Sequence, residues 1–514
     1  MADSARTAPP LSVAGWGRWA WRQLTSMRTA LVLLFLLAVA SVPGSVLPQR
    51  GNNPLRVDQW LTNNPTAGPI LDRLGFFDGY SSPWFSSVYL LLFLSLIGCL
   101  LPRCRQHWRA VRSQPPPAPR RLTRLPGACT LDVGASPQEV LDRAERHLRR
   151  GRWRLRPGRD DDGAVWLAAE RGYLHETGNL VFHLSLLLVL GGVAIGGLFG
   201  WKGNVIVREG SGFSNTLTQY DAWGGGRFVN PDDLSPFSFQ LDDFTVDFER
   251  GDAQAGAPRL FEADLTYRPS PEIPPQGELV EVNAPLQATG AKVFLVGHGY
   301  APRFVIRDGT GDVVFDDAVV FLPQDGNFTS TGVIKVPDAQ PPLAFSGIFA
   351  PTAALSQDLG PFSTFPAPDD PAVFLSAFTG DLGLSSGRPQ SVYTLKTETL
   401  TQLGLEALRP GETWQLPDGA GRLEFTGYQR WASFQIAQDP GKELVLVATL
   451  AAMAGLILSL SVRRRRLWIK VVPSTDDGSS HIEIAGLTKR DTGEPEEDAG
   501  ELVRAVLAGQ GARN

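Results

Sequence analysis

The sequence predicts a membrane protein of four transmembrane helices, with a large extracytoplasmic all-β, sandwich-like domain and a small cytoplasmic α+β unit. Three observations predict it. First, residues 27–47, 84–101, 180–199 and 444–462 are each long and apolar enough to cross a hydrocarbon core about 30 Å thick, which takes roughly 17–25 residues. Only Arg28 puts a charge in any of them. Second, arginines flank the stretches unevenly: Arg18, Arg22 and Arg28 at the first, Arg103 and Arg105 after the second, and Arg463–Arg466 after the fourth. Positive charge stays on the cytoplasmic side, so both termini are expected inside and the loops after spans 1 and 3 outside. Third, residues 201–441 read as short alternating strands separated by Gly, Pro and Asp, the pattern of an all-β domain.

In chain order, residues 1–26 form a cytoplasmic tail in which Trp16, Trp19 and Trp21 interleave with Arg18 and Arg22, the composition of an interfacial anchor. Residues 27–47 are the first span, a retained anchor rather than a cleaved signal, because no small-x-small site stands clear of Pro43. Residues 48–83 are expected to be a polar outer loop, and 84–101 the second span. Residues 102–177 are the cytoplasmic α+β segment. There Ser136-Pro137-Gln138-Glu139 is a capping box, opening a helix with Val140, Leu141, Ala144 and Leu148 on one face. Residues 153–155 and 164–168 follow as two short strands. Residues 178–200 are the third span, 201–441 the outer β-domain, 443–462 the fourth span and 463–514 a cytoplasmic C-terminal tail.

Charge follows the same division. Residues 102–176 carry 16 Arg against 9 acidic residues, a net of +7, whereas 200–442 carry 16 Lys and Arg against 30 acidic residues, a net of −14. The formal −5 of the whole chain hides this split. The basic segment lacks interleaved aromatics, so it reads as a membrane-lipid-facing surface and not a nucleic-acid site.

Within the β-domain, Phe237, Phe239 and Leu241 alternate, and after a slip at Asp242–Asp243 so do Phe244, Val246 and Phe248. Alternation recurs at 292–296, 303–306, 332–336 and 422–425. Residues 341–371 are expected to be loop, and His298, between two glycines, a turn residue.

The sequence contains no phosphate-cradling G-x-x-x-x-G-K-[ST] and no H-E-x-x-H, so neither motif supports an autonomous catalytic apparatus. Cysteines are three, Cys99, Cys104 and Cys129, and none lies in the outer domain, which therefore has no thiol–disulfide chemistry of its own. Cys99 and Cys104 read as small residues near a helix end.

One residue carries the chemical argument. His183 stands inside the apolar run LVFHLSLLLVLGGVAIGGLF, residues 180–199, and is the one histidine of six within such a run. An ionisable side chain in the bilayer is costly and marks function, and imidazole is an axial ligand of haem iron. The bland alternative is a histidine hydrogen-bonded to a neighbouring helix. Gly191, Gly192, Gly196 and Gly197 leave the same helix flat enough for a partner helix or a planar ligand. His175, near the cytoplasmic end, is a second candidate ligand. Six-coordinate haem needs two ligands and no other span holds a histidine, so the second must come from a partner.

At these residues the chain resembles the ResB family, the membrane subunit of System II cytochrome c biogenesis. The resemblance runs through Met27-Arg28-Thr29-Ala30, Pro43-Gly44 and Pro48-Gln49, then Ser82-Pro83-Trp84-Phe85 and Cys99…Pro102-Arg103. It continues through Glu170-Arg171-Gly172…Gly178-Asn179…Phe182-His183-Leu184 and Asp439-Pro440-Gly441, closing at the arginine run and Trp468. It implies a plasma-membrane, multi-pass subunit of a holocytochrome c synthase that takes part in moving haem outward and attaching it to apocytochrome c. It further implies His183 as the haem ligand, a tryptophan-rich ResC/CcsA-type multi-span partner, and a separate thioredoxin-like thiol reductant. Two other readings stay open: an assembly factor that never binds haem, and a membrane-tethered ligand-binding or sensor module.

Overall fold

The computed structural model describes residues 12–508 apart from 52–53, 126, 162, 252, 359, 385–393, 474–478 and 489–493. It divides into two compact units: residues 1–194 with 441–514, and residues 195–440.

The first unit opens with helix α1 (Val13–Leu24), whose Trp16 and Trp19 meet edge to face and remain exposed. Helix α2 (Met27–Val46) follows, started by Ser26, whose hydroxyl accepts from the Thr29 N–H. Residues 48–83 are not the loop the sequence suggested. They contain α3 (Pro54–Asn63), α4 (Gly68–Arg73) and a 3-10 turn (Phe76–Ser81) wrapped around Phe77, which is fully buried against Trp60. Arg50 closes this cap by bonding Asp72 at 2.7 Å and Asp78 at 2.6 Å. Short helices of mixed polarity leave a weak periodic signal, which is why the sequence reading missed them.

Helix α5 (Pro83–Arg112) begins with Ser82 as cap and proline in its first turn. It outruns the expected end at Leu101 by eleven residues, because a change from apolar to basic composition ends a hydrophobic stretch without ending a helix. Helix α7 (Leu174–Phe199) and helix α8 (Lys442–Ser461) complete, among the described residues, a set of four candidate spans, whose apolar 18-residue windows have a mean hydropathy of 2.1 to 2.3. Their side chains are mostly exposed, with Phe35, Leu90, Val193 and Leu460 among them, the inverse of a soluble protein and the arrangement lipid requires.

Around helix α6 (Pro137–Arg150) stands a five-stranded antiparallel sheet. Ser136 caps α6 through the Glu139 N–H, and Val140, Ala144 and Leu148 are buried in the core. The sheet order is Cys129–Val133, Ser480–Thr488, Arg465–Pro473, Val165–Arg171, Arg154–Arg159. Residues 463–514, expected to be a tail, thus supply two of the three inner strands, and α9 (Glu494–Leu507) packs Ala499, Leu502 and Val506 into the same core. Leu467, Ile469 and Val471 alternate as a buried strand should, but the run of arginines before them masks it.

The second unit is built mainly of β-strands. Two strands of 18 residues, Ala291–Asp308 and Gly421–Gln438, pair antiparallel along their whole length and belong to two cores at once. One end, with Val293, Phe434 and Ile436, packs against a four-stranded sheet carrying Phe239, Leu241, Phe244 and Leu265. The other end, with Phe304, Ile306, Leu423 and Phe425, packs against a five-stranded sheet carrying Ile334, Phe345, Phe349 and Leu375. The expected sandwich is therefore a tandem of two, sharing one hairpin-like spine. The slip at Asp242–Asp243 is a register shift between Leu241 and Asp243, which keeps Phe239, Leu241, Phe244 and Val246 on one buried face.

Two expectations are corrected here. Within 341–371, Leu343–Ala350 is a central strand, buried at Leu343, Phe345 and Phe349; an apolar run flanked by prolines lacks the alternation that would have revealed it. His298 is not in a turn but in the middle of the strand Ala291–Asp308, opposite Ala432, where Gly297 and Gly299 accommodate a bulge and the Trp431 ring.

Candidate functional site

The position of His183 starts outside the apolar helix, in the sheet. Strand Val165–Arg171 leads into α7, and strand Arg465–Pro473 leads away from α8; the two pair antiparallel, with Glu170 opposite Arg466. The Glu170 carboxylate is only 4% exposed and accepts from Arg466 Nε at 3.0 Å and Arg464 Nε at 2.8 Å. Burial pushes this carboxyl up, and the two guanidiniums outweigh that effect and hold it below the usual range. Gly172 makes the turn into α7 at φ +81°, and a Cβ there would lie 1.8 Å from the Arg463 carbonyl oxygen, so no other residue fits.

Beyond the turn, α7 and α8 pack through small residues. Gly178, Ser185 and Gly192 recur every seven residues, are buried, and form one stripe; Ala448, Ala452 and Gly455 are the buried positions of α8. Cβ atoms on Gly178 and Gly455 would meet the other helix's backbone at 2.6 and 2.7 Å. Lipid offers no hydrophobic drive for helix pairing, so this close backbone approach is what holds the two together. Gly192 is used in the same seam against Val445, while Gly191 and Gly197 face open space. The flat surface expected from four glycines is thus reduced to two positions.

His183 is half-buried and stands about 150° around α7 from that stripe, at 3.6 residues per turn. Its Nδ1 donates to the Asn179 carbonyl oxygen one turn back at 2.8 Å, so in the neutral ring the proton sits on Nδ1 and the lone pair on Nε2. No described residue hydrogen-bonds Nε2. The Phe182 ring stands perpendicular to the imidazole at 5.2 Å and limits its rotation. A neutral imidazole oriented by a carbonyl at one nitrogen and open at the other is the form in which histidine binds metal.

His175 is different. Its Nδ1 lies 2.6 Å from the Ser459 carbonyl oxygen, so it ties α7 to α8. His175 and His183 lie eight residues apart on α7, about 80° around the helix from one another. A residue the sequence reading overlooked, His107, lies on the extension of α5 and bonds the Thr177 hydroxyl at 2.9 Å. The signal was present, but an α5 ending at Leu101 left His107 outside any element. Tyr89 adds a second tie from α5, its hydroxyl donating to the Leu190 carbonyl. Among the described residues no group of three His, Cys, Asp or Glu side chains could enclose a metal ion. Cys99, Cys104 and Cys129 are free thiols, and Cys99 donates to the Thr25 carbonyl.

In the β unit, the His298 imidazole lies among Phe244, Phe248, Phe261 and Phe328, with ring centroids 4.5 to 6.1 Å away. Burial, with a smaller contribution from Arg430, pushes its pKa down to about 4.

The description "ResB-like family" fits residues 27–499 of this chain. A protein named cytochrome c biogenesis protein CcsB from Synechococcus sp. (strain RCC307) is 27% identical over 484 residues, which span 92% of each chain. Another protein of that name, from Synechococcus elongatus, is 26% identical over 329 residues, 62% of this chain and 66% of its own. A third, from Prochlorococcus marinus (strain MIT 9303), is 29% identical over 290 residues, 54% and 59% respectively.

Proposed function

This chain belongs to the ResB-like family, and from that premise we propose that it is a System II cytochrome c biogenesis protein, the His183-bearing membrane subunit of a holocytochrome c synthase. His183 would hold haem iron through Nε2, and the observation that carries this role is the Nδ1–Asn179 hydrogen bond, which occupies Nδ1 and leaves Nε2 without a described partner. When bound, haem supplies the reactive vinyl groups and the iron; this chain's own groups hold and orient it. Phe182 restricts the imidazole plane, and the α7–α8 seam sets the height of His183 in the bilayer.

His175 ties α7 to α8 through its Nδ1, and no other apolar span holds a histidine, so a second ligand would come from a CcsA-type, tryptophan-rich partner subunit. The arginine-rich flanks support an orientation with the five-stranded α+β unit and both termini in the cytoplasm and residues 201–441 outside the plasma membrane, facing apocytochrome c. Because residues 201–441 have no cysteine, a separate thioredoxin-like protein keeps the apocytochrome thiols reduced.

The alternative of an assembly factor that never touches haem would use His183 as a bond to a neighbouring helix. The described imidazole bonds its own helix instead. The deciding experiment is the absorbance spectrum of the detergent-purified complex, wild type beside His183→Ala. Loss or a marked shift of the haem bands in the variant, at equal protein, supports the ligand role; identical spectra end it.

A further inference from the structure

In the β unit, the strand Ala222–Gly225 runs into a short turn, 226–229, that is strapped to the last residues of α7. The Gly226 N–H donates to the Gly200 carbonyl at 2.9 Å, and the Phe228 N–H donates to the Leu198 carbonyl at 3.0 Å. Behind the turn, Trp223 stacks on Trp201 with centroids 4.9 Å apart, and Tyr220 closes on both. The turn is therefore held by backbone hydrogen bonds, with a cluster of stacked rings in the preceding residues. Its outer side carries Phe228, 62% exposed yet stacked on Phe199 at 5.3 Å and 27°, beside the exposed Leu198. Arg227, next to it, is exposed and makes no hydrogen bond or ion pair among the described residues.

A phenylalanine held out in water forgoes the gain of burial, and this one is bonded by its own backbone into that position. Helix α7 stays apolar up to Phe199, so the Phe199–Phe228 pair stands where the helix leaves hydrocarbon. Aromatic rings with an adjacent arginine are the chemistry of that boundary zone.

We propose that the 226–229 turn is a membrane-contact element, with Phe228 and Phe199 seated between the acyl chains and headgroups and Arg227 paired with a lipid phosphate. This rests on α7 being a span. The element adds an anchor at the far end of the His183-bearing helix, in a stretch that carries no Asp, Glu, Lys or Arg between Glu176 and Lys202.

The test is spin-label depth measurement on the full chain, with Cys99, Cys104 and Cys129 changed to Ser, in vesicles of phosphatidylethanolamine and phosphatidylglycerol. Labels go on Phe228→Cys, on Leu188→Cys within α7 and on Leu355→Cys, a well-exposed β-domain site. The expected result is an oxygen-to-nickel-chelate collision ratio at 228 severalfold above that at 355 and below that at 188. A ratio at 228 equal to that at 355, with 188 still lipid-like, overturns the proposal while leaving the span intact. A label shielded from both collision partners overturns it in favour of a protein contact. Arg227→Cys, whose side chain packs on nothing the fold needs, gives the same readout should Phe228→Cys fail to fold.

Discussion

Arg466 donates from Nε to Oε1 of Glu170 at 3.0 Å, so a residue beyond the fourth apolar helix holds the strand that leads into the third. The carboxylate is buried and shared with Arg464, and removing it leaves two guanidiniums without their common partner. Glu170→Gln is expected to cost about 3 kcal/mol, as broken buried ion pairs do, seen as a lower thermal midpoint in detergent. Its pKa lies below the unfolded value of 4.5, so its stabilisation is present above pH 4.5 and fades as the pH falls below it. Wild type should lose stability in that acidic range and Glu170→Gln should lose less.

The α7–α8 seam separates glycines that look alike in sequence. Gly178→Leu drives a side chain into the Ser459 and Gly455 backbone and should abolish the monodisperse peak in size-exclusion chromatography. Gly191→Leu, with nothing within 4 Å of its Cβ, should elute as wild type. Equal behaviour of the two would refute the seam.

Loss of the His183 ring should abolish cytochrome c maturation without loss of protein, since His183→Ala removes a polar ring from an apolar environment. Added imidazole should restore part of the activity by occupying the vacated coordination position. Asparagine at 183, which can hydrogen-bond but not replace an imidazole ligand, should stay inactive; an active His183→Asn would favour a structural histidine. For His175→Ala the expectation is reversed, with less folded protein and an unchanged spectrum in what remains.

His298 gives the β unit a pH dependence of its own. Its pKa falls from 6.5 to about 4 on folding, so the unfolded chain binds the proton more readily and stability is lost as pH falls from 6.5 towards 4. The loss is of the order of 3 kcal/mol, and His298→Phe, which keeps the aromatic packing, should flatten the profile of thermal midpoint against pH across that window.

Orientation is checked with reporter fusions. Alkaline phosphatase fused after Val336 should be active, and fused after Gly151 inactive; the reverse pattern would invert the assignment made from the arginines.

The sequence by itself determined the four apolar helices, the arginine asymmetry beside them, the β character of residues 201–441 and the singular place of His183. Each of these is local: a run of side chains declares the solvent it needs, and alternation declares a strand face, down to the register slip at Asp242–Asp243. Only the tertiary structure decided that Arg465–Pro473 and Ser480–Thr488 complete a sheet begun some 300 residues earlier, or that one 18-residue pair serves two cores. Pairing across such separations depends on which surfaces meet, and no window of neighbouring residues contains that information. The same holds at the site. The sequence singled out His183 and offered His175 as a second candidate, but that His183 Nδ1 bonds its own helix while His175 Nδ1 reaches Ser459 of the helix beside it follows from where α8 packs.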